Sequence, residues 1–148
     1  MASTLTFDNP VFAQFAFYGT VCVFKTMVMS LITIKQRLSR KVVANMEDRL
    51  VKGQTTIFND VVVERTRRCH QNDVENVIPF ILVGVLYVLT GPDPWWAAFH
   101  FRLFTGCRIC HTIAYLFAIP QPARASMFGI GWLTVVSMGV SVLMRGKF

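Results

Sequence analysis

The sequence predicts an all-α integral membrane protein whose four transmembrane helices form one up-down, antiparallel bundle. Three observations support this fold class. First, 53% of the 148 residues are hydrophobic and only 16% are charged, whereas about a quarter of the residues in soluble domains are charged. Second, the mean hydropathy is +0.47. Third, four apolar stretches of helical length follow one another, without the alternating pattern of a membrane β-strand.

The lengths of the predicted spans follow from the thickness of a bilayer. A hydrocarbon core of about 30 Å takes roughly 20 helical residues. Apolar stretches of this kind cover about residues 12–34, 66–90, 95–119 and 124–144. Lys25 is the one charged residue inside the first stretch, and the sequence assigns it no role. We expect residues 1–148 to form a single domain, because no repeat or linker divides the chain.

The connections between the spans differ in length. Gly91–Pro94 (GPDP) separates the second and third spans, and Pro120–Pro122 (PQP) separates the third and fourth. Both are short runs of helix-breaking residues, so the helices that they join should pack antiparallel. The first connection, from about residue 35 to residue 60, is long and basic.

The distribution of positive charge predicts the orientation in the membrane. The formal net charge is +7, and most of the basic residues belong to the first connection or to the helix that follows it: Lys35, Arg37, Arg40, Lys41, Arg49, Lys52, Arg65, Arg67 and Arg68. The positive-inside rule places this connection in the cytosol and both termini on the far side. A patch that only contacts anionic lipid is a simple alternative for several of these residues. Nucleic-acid binding is not expected, because other arginines lie inside apolar segments.

Polar residues on the second helix form a pattern that needs an explanation. At 100° per residue, Arg68, Asn72 and Glu75 fall on one face. A ladder of these three residues would satisfy itself within the helix. Arg67 and His70 lie off that face, so we expect their partners on another helix or another subunit.

Arginines outnumber acidic residues in the bundle and its cytosolic mouth. The arginines are Arg67, Arg68, Arg108 and Arg124, and the acidic residues are Glu64, Asp73 and Glu75. Buried charge is normally paired, and arginine is suited to bidentate binding of carboxylate or phosphate. The surplus therefore predicts a site for an anionic ligand near the cytosolic face of the membrane.

Other residue patterns point to packing. Cys107 and Cys110 have CxxC spacing, but they lie within a span and no second CxxC is present, so we expect packing cysteines and no metal. His100 and Arg102 are interpreted as interfacial or subunit-contact residues. A stripe of phenylalanines is predicted to pack towards lipid: Phe99, Phe101 and Phe104.

Several long motifs resemble one family over nearly the whole chain. They are Glu64–Asn76 (ERTRRCHQNDVEN), Ile78–Phe80 (IPF), Gly91–Pro94 (GPDP), His100–Leu116 (HFRLFTGCRICHTIAYL) and Pro120–Ala125 (PQPARA). The family is that of the membrane-associated proteins in eicosanoid and glutathione metabolism (MAPEG), and the chain is most similar to its microsomal glutathione transferase branch.

The resemblance implies a homotrimer that binds its co-substrate glutathione between subunits, in the endoplasmic reticulum and in the mitochondrial outer membrane. It implies a detoxifying transferase that conjugates glutathione to hydrophobic electrophiles from the bilayer and reduces lipid hydroperoxides. Arg124 would be the catalytic, thiolate-stabilising residue. The glutathione ligands implied are Arg37, Arg67, Arg68, His70, Asn72, Glu75, Arg108 and Tyr115.

Some positions depart from the family's patterns. Ala125 stands where prostaglandin E synthases have serine, Gln71 replaces an arginine of that branch, Met46 replaces a proline, and Arg49 stands where some relatives carry a cysteine. Two alternatives stay open: an eicosanoid synthase of the same fold, and a non-catalytic scaffold that binds lipid.

Overall fold

A computed structural model describes residues 4–49, 53–56 and 59–146. Among these residues the chain forms four long helices, two strands of two residues each and one short 3-10 turn. In chain order they are α1 (Pro10–Arg40), β1 (Val42–Val43), the 3-10 turn (Met46–Asp48), β2 (Thr55–Thr56), α2 (Val61–Leu89), α3 (Pro94–Leu116) and α4 (Ala123–Arg145). The all-α prediction is confirmed in the four helices.

Side-chain caps fix where three of the helices begin. The side chain of Asn9 accepts a hydrogen bond from the backbone N–H of Val11. Asp60 and Asp93 each accept two backbone N–H groups at the starts of α2 and α3. These caps satisfy donors that a helix start leaves free.

Two helix ends differ from the predicted spans. α1 continues to Arg40, well past residue 34, because the residues that follow the apolar stretch also favour a helix; it ends where Lys41 adopts a left-handed conformation (φ 55°). α3 ends at Leu116 instead of residue 119, and Ala118 has φ 54°. An amphipathic helix can extend beyond the bilayer, and hydropathy alone does not mark its end.

By length and composition, three helices within the described residues are apolar enough to cross a membrane: α1, α2 and α4. α3 has 23 residues, but its two histidines and two arginines lower its hydropathy. Its assignment as a fourth span stays a prediction. Many large apolar side chains on the outside of the bundle are exposed, including Phe17, Phe24, Leu31, Leu82, Trp132 and Leu143, as expected of a surface that faces lipid.

The core is built around aromatic side chains of α1, α2 and α3, and Met138 of α4 is also buried in it. Phe80 stacks on Phe104 with ring centroids 4.0 Å apart, and Phe15 packs against both Phe80 and Phe101. Phe101 and Phe104 are fully buried, so the expectation that they pack towards lipid is wrong. Phe99 is 45% exposed and fits it. Helical periodicity places residues on a face but does not say which face the neighbouring helices cover.

The first connection folds back against the end of α1 and the start of α2. β1 and β2 pair in parallel, and the backbone N–H of Thr55 donates to the carbonyl of Lys41 at 3.0 Å. Arg40 Nη1 lies 3.1 Å from Asp60 Oδ2, which joins the end of α1 to the start of α2. Lys52, one of the basic residues used for the orientation, lies outside the described residues.

Candidate functional site

A charged cluster lies inside the bundle where three helices meet. The carboxylate of Asp73, on α2, is fully buried. Its Oδ1 accepts a hydrogen bond from Nη2 of Arg108, on α3, at 2.6 Å. Its Oδ2 forms an ion pair with Nζ of Lys25, on α1. One carboxylate therefore serves two cations from two different helices.

Arg108 is the most deeply buried arginine of the predicted site, with a side chain 1% exposed. Its Nη2 also donates to Oδ1 of Asn72 at 2.8 Å and lies 3.3 Å from Nδ1 of His111. Its Nε and Nη1 are buried and have no hydrogen-bond partner among the described residues. Buried donors normally find an acceptor. Two buried donors of Arg108 therefore lack an acceptor among the described residues.

Neighbouring polar contacts hold the three helices in register around this cluster. Sγ of Cys69 lies 3.8 Å from Oγ1 of Thr112, and Sγ of Cys22 lies 3.4 Å from Oγ1 of Thr105. Asp73 lies one helical turn after Cys69 on α2, and Arg108 lies one turn before Thr112 on α3. The position of Arg108 is thus set by contacts on both sides of it.

A second group of predicted residues continues from Arg108 towards the start of α4. The rings of His111 and Tyr115 have centroids 5.0 Å apart, and the guanidinium of Arg124 lies 4.8 Å from the centroid of the Tyr115 ring. Nε of Arg124 is buried without a hydrogen-bond partner among the described residues. The structure therefore brings together four of the predicted residues, Asn72, Arg108, Tyr115 and Arg124, through His111.

Other predicted residues lie on the outer surface of α2, away from this group. Arg67 forms hydrogen bonds of 2.9–3.1 Å with Glu64 on the same helix, so the expectation that it needs a partner on another element is wrong. Glu75 accepts a hydrogen bond from Gln71 at 3.1 Å, and Asn72 is turned towards Arg108. The proposed Arg68–Asn72–Glu75 ladder is therefore wrong as well.

At the mouth of the bundle, where α1 ends and α2 begins, Arg37 and Arg67 line one cavity of about 270 Å³ together with Asp60 and Glu64. The backbone N–H groups of Val63 and Val62, and then the nearby Arg40, hold the pKa of Asp60 below its ordinary value. Three further predicted residues are not brought into either group: Arg68 and Glu75 are exposed and His70 is half-buried.

The cysteines form no disulfide bond, and they belong to no group of metal ligands among the described residues. All four are free thiols, with Cys110 exposed and the other three buried. Among the described residues no group of three His, Cys, Asp or Glu side chains is placed to hold a metal ion. Cys69 and Cys22 contact threonines, as packing cysteines do.

A larger cavity, of about 570 Å³, lies at the other end of the helices around Tyr87, Asp93 and His100. Tyr87 is 14 residues after Asp73, which is about 21 Å along α2. His100 lies 3.0 Å from Ser137, and Arg102 donates to the hydroxyl of Tyr18 at 3.1 Å. These two residues, predicted to be interfacial, thus have partners within their own chain.

Sequence reasoning missed three residues of the central cluster as site residues. In the sequence Asp73 is one acidic residue among several, Lys25 belongs to no motif, and His111 is not among the ligands that the resemblance implies. The depth of Lys25 and Asp73 inside apolar segments was the available signal, since an ionisable residue in a membrane span usually has a partner or a function.

Together the apolar helices and the unpartnered guanidinium nitrogens of Arg108 and Arg124 define an α-helical membrane protein with a candidate anion site. Residues 15–144 match the family model described as "MAPEG family". The chain is 49% identical over 145 residues to human "Microsomal glutathione S-transferase 1", covering 95% of this chain and 94% of the relative. The pig protein of that name is 48% identical over 140 residues, covering 91% and 90%. Human "Prostaglandin E synthase" is 36% identical over 143 residues, covering 96% and 94%. The chain belongs to the MAPEG family.

Proposed function

We propose that the protein is a membrane-bound glutathione transferase that conjugates the glutathione thiolate to hydrophobic electrophiles. Relatives named microsomal glutathione S-transferase 1 share 45–49% identity over nearly the whole chain. The single observation that carries the proposal on the structural side is the buried guanidinium of Arg108, two of whose nitrogens have no partner among the described residues. Such a group is suited to one of the two carboxylates of glutathione.

Glutathione would be bound by three sets of residues. Asn72, Arg108 and Tyr115 belong to the buried group, and Arg37 and Arg67 to the mouth. Arg68, His70 and Glu75 are the third set of predicted ligands, on the surface of α2. The arginines would hold the carboxylates and Glu75 the ammonium group.

A homotrimer would explain why these ligands face in different directions. Arg68 and Glu75 are exposed in the single chain, whereas Arg108 is buried within it. A site between neighbouring subunits would combine the surface of α2 from one chain with the inner group of another. The up-down arrangement is supported by contacts such as Cys69 with Thr112 and Phe80 with Phe101, which fit antiparallel neighbours.

Arg124 would stabilise the thiolate. A free thiol with a pKa of about 8.5 is only a few per cent ionised at neutral pH. Lowering that pKa by about 2 requires roughly 2.7 kcal/mol of preferential stabilisation of the thiolate, within reach of one or two guanidinium groups. The buried Nε of Arg124 is available for this contact.

The thiolate would react with substrates dissolved in the bilayer. With a chlorinated dinitrobenzene, the sulfur bonds to the ring carbon that carries chlorine, and chloride leaves. With a lipid hydroperoxide, two molecules of glutathione would give the alcohol, water and glutathione disulfide. The orientation with the first connection in the cytosol would supply glutathione from that side, in the endoplasmic reticulum and the mitochondrial outer membrane.

An eicosanoid synthase of the same fold is the second candidate. It is favoured by the 36% identity with human prostaglandin E synthase, and Ala125, where that branch has serine, argues against it. A non-catalytic protein whose arginines bind anionic lipid is the third.

One assay separates these candidates. The purified protein in proteoliposomes is supplied with glutathione and either a chlorinated dinitrobenzene, prostaglandin H or leukotriene A. We expect glutathione-dependent release of chloride with the first substrate. Turnover of prostaglandin H or leukotriene A alone would favour the synthase, and no turnover with any of the three would favour the lipid-binding scaffold.

A further inference from the structure

The central cluster carries an unbalanced charge. Lys25 and Arg108 each contribute one positive charge, and Asp73 contributes one negative charge. Both oxygens of the Asp73 carboxylate are engaged, Oδ1 by Arg108 and Oδ2 by Lys25. With the three side chains ionised, the cluster has a net charge of +1. A pair of Arg108 and Asp73 alone would be neutral.

We propose that Lys25 is a positioning residue that makes Arg108 an acceptor site for a carboxylate of glutathione. Lys25 acts through Asp73. Because Lys25 and Arg108 share this one carboxylate, part of the positive charge of Arg108 is not cancelled by Asp73. The uncancelled charge is available at Nε and Nη1, the two nitrogens of Arg108 without a partner among the described residues. This inference rests on the proposed function.

The membrane setting gives the extra charge its effect. Asp73 is fully buried, and the side chain of Lys25 is 15% exposed. Charge inside a bilayer is costly unless it is compensated. A ligand carboxylate beside Arg108 would bring the net charge of the cluster to zero. Because the uncompensated positive charge of the empty site costs free energy, the site favours binding of an anionic ligand. A neutral guest would gain nothing from Lys25.

Lys25 also ties α1 to α2, so a purely structural role has to be distinguished. Other contacts hold α1 in the same region: Sγ of Cys22 lies 3.4 Å from Thr105 Oγ1, and Phe15 packs on Phe80 and Phe101. If Lys25 only joins α1 to α2, loss of its ion pair with Asp73 would weaken the binding of every ligand to a similar degree. Loss of the charge would weaken only ligands that carry carboxylates.

The experiment compares two ligands with the same peptide backbone, one with both carboxylates free and one with both carboxylates esterified. S-methylglutathione and its diethyl ester both lack an ionisable thiol, and the ester also lacks both carboxylates. Their Kd values are measured by competition titration on the purified full-length protein and on Lys25→Met and Lys25→Arg. We expect Lys25→Met to raise the Kd of S-methylglutathione about tenfold, the order expected for the loss of one nearby charge in a partly shielded site. The Kd of the diethyl ester should stay within about twofold, and Lys25→Arg should bind both ligands as the unaltered protein does.

Each other outcome has a definite meaning. Equal weakening of both ligands, or unchanged binding of S-methylglutathione, would overturn the role of Lys25. If Lys25→Met does not fold, as judged by its thermal unfolding in detergent, Lys25→Gln is compared with the same two ligands. Failure of the unaltered protein to bind glutathione itself would reject the proposed function, a result that the variants do not affect.

Discussion

The guanidinium of Arg124 lies over the ring of Tyr115, 4.8 Å from its centroid. An aromatic face attracts a cation without taking up its N–H groups. Nε of Arg124 accordingly has no hydrogen-bond partner among the described residues. The ring therefore holds the guanidinium of Arg124 without using Nε as a donor.

Arg124→Ala should leave glutathione binding largely intact and reduce thiolate formation. The carboxylates of glutathione are assigned to other arginines, so Arg124→Ala should remove only the stabilisation of the thiolate sulfur. If Arg124 supplies most of the free energy that stabilises the thiolate relative to the thiol, the thiolate fraction of bound glutathione at neutral pH should fall about tenfold or more in the variant. Stopped-flow ultraviolet absorbance of the bound thiolate measures this. Arg145→Ala, at the other end of the same helix, is the control, and an unchanged amplitude in Arg124→Ala would reject the role.

Arg68→Ala should raise the KM for glutathione by about tenfold, as expected when one charge-assisted contact to a carboxylate is removed. Arg68 is exposed on α2, so the variant should fold normally. Steady-state kinetics with varied glutathione test this, and Arg65→Ala, three residues earlier on the same helix, is the control. The same KM in all three proteins would remove Arg68 from the ligand set.

Gly84 allows α1 and α2 to approach closely. A Cβ atom at this position would overlap Cε2 of Phe15, so Gly84→Val should destabilise the bundle by about 1–3 kcal/mol. Gly106 has no atom within 4 Å of such a Cβ, and Gly106→Ala should be tolerated. Thermal unfolding in detergent compares the variants. Equal stability of Gly84→Val and the unaltered protein would contradict the packing of α1 on α2.

The cap at the start of α2 should make stability depend on pH. Hydrogen bonds from Val63 and Val62 lower the pKa of Asp60 in the folded protein below its ordinary value of 3.8. The stabilisation from the charged cap is therefore present above 3.8 and is lost as the pH falls through the lower folded value. Asp60→Asn, which keeps a capping side chain but cannot ionise, should show a shallower loss of stability with acid. An equal loss of the free energy of unfolding with falling pH in the unaltered protein and in Asp60→Asn would contradict this.

The four helices could be predicted from the sequence, and so could the family, whose motifs are visible along most of the chain. Runs of helix breakers, such as Gly91–Pro94, separate the second and third helices where the structure ends α2 and begins α3. Capping residues were present in the sequence, at Asn9, Asp60 and Asp93. The extension of α1 to Arg40 could not be predicted from hydropathy, because the helix continues into polar residues.

The partners of the site residues could not be predicted, because periodicity assigns a face to a residue but not a neighbour. The surplus of arginine over acid is visible in the sequence. In the structure Arg124 has no ion pair with an acidic residue among the described residues, and Arg108 shares its acidic partner, Asp73, with Lys25. The surplus does not hold for Arg67, which Glu64 satisfies one turn away. The sharing of Asp73 by Lys25 and Arg108 depends on how three helices pack, and only the fold brings these residues together.

The most direct test of the central claim is a calorimetric titration of glutathione into the purified protein, at low and at high salt. We expect saturable binding that weakens as the salt concentration rises and that is lost in Arg108→Gln, provided that this variant still unfolds cooperatively. An absence of saturable binding, or full binding by a folded Arg108→Gln, would contradict it.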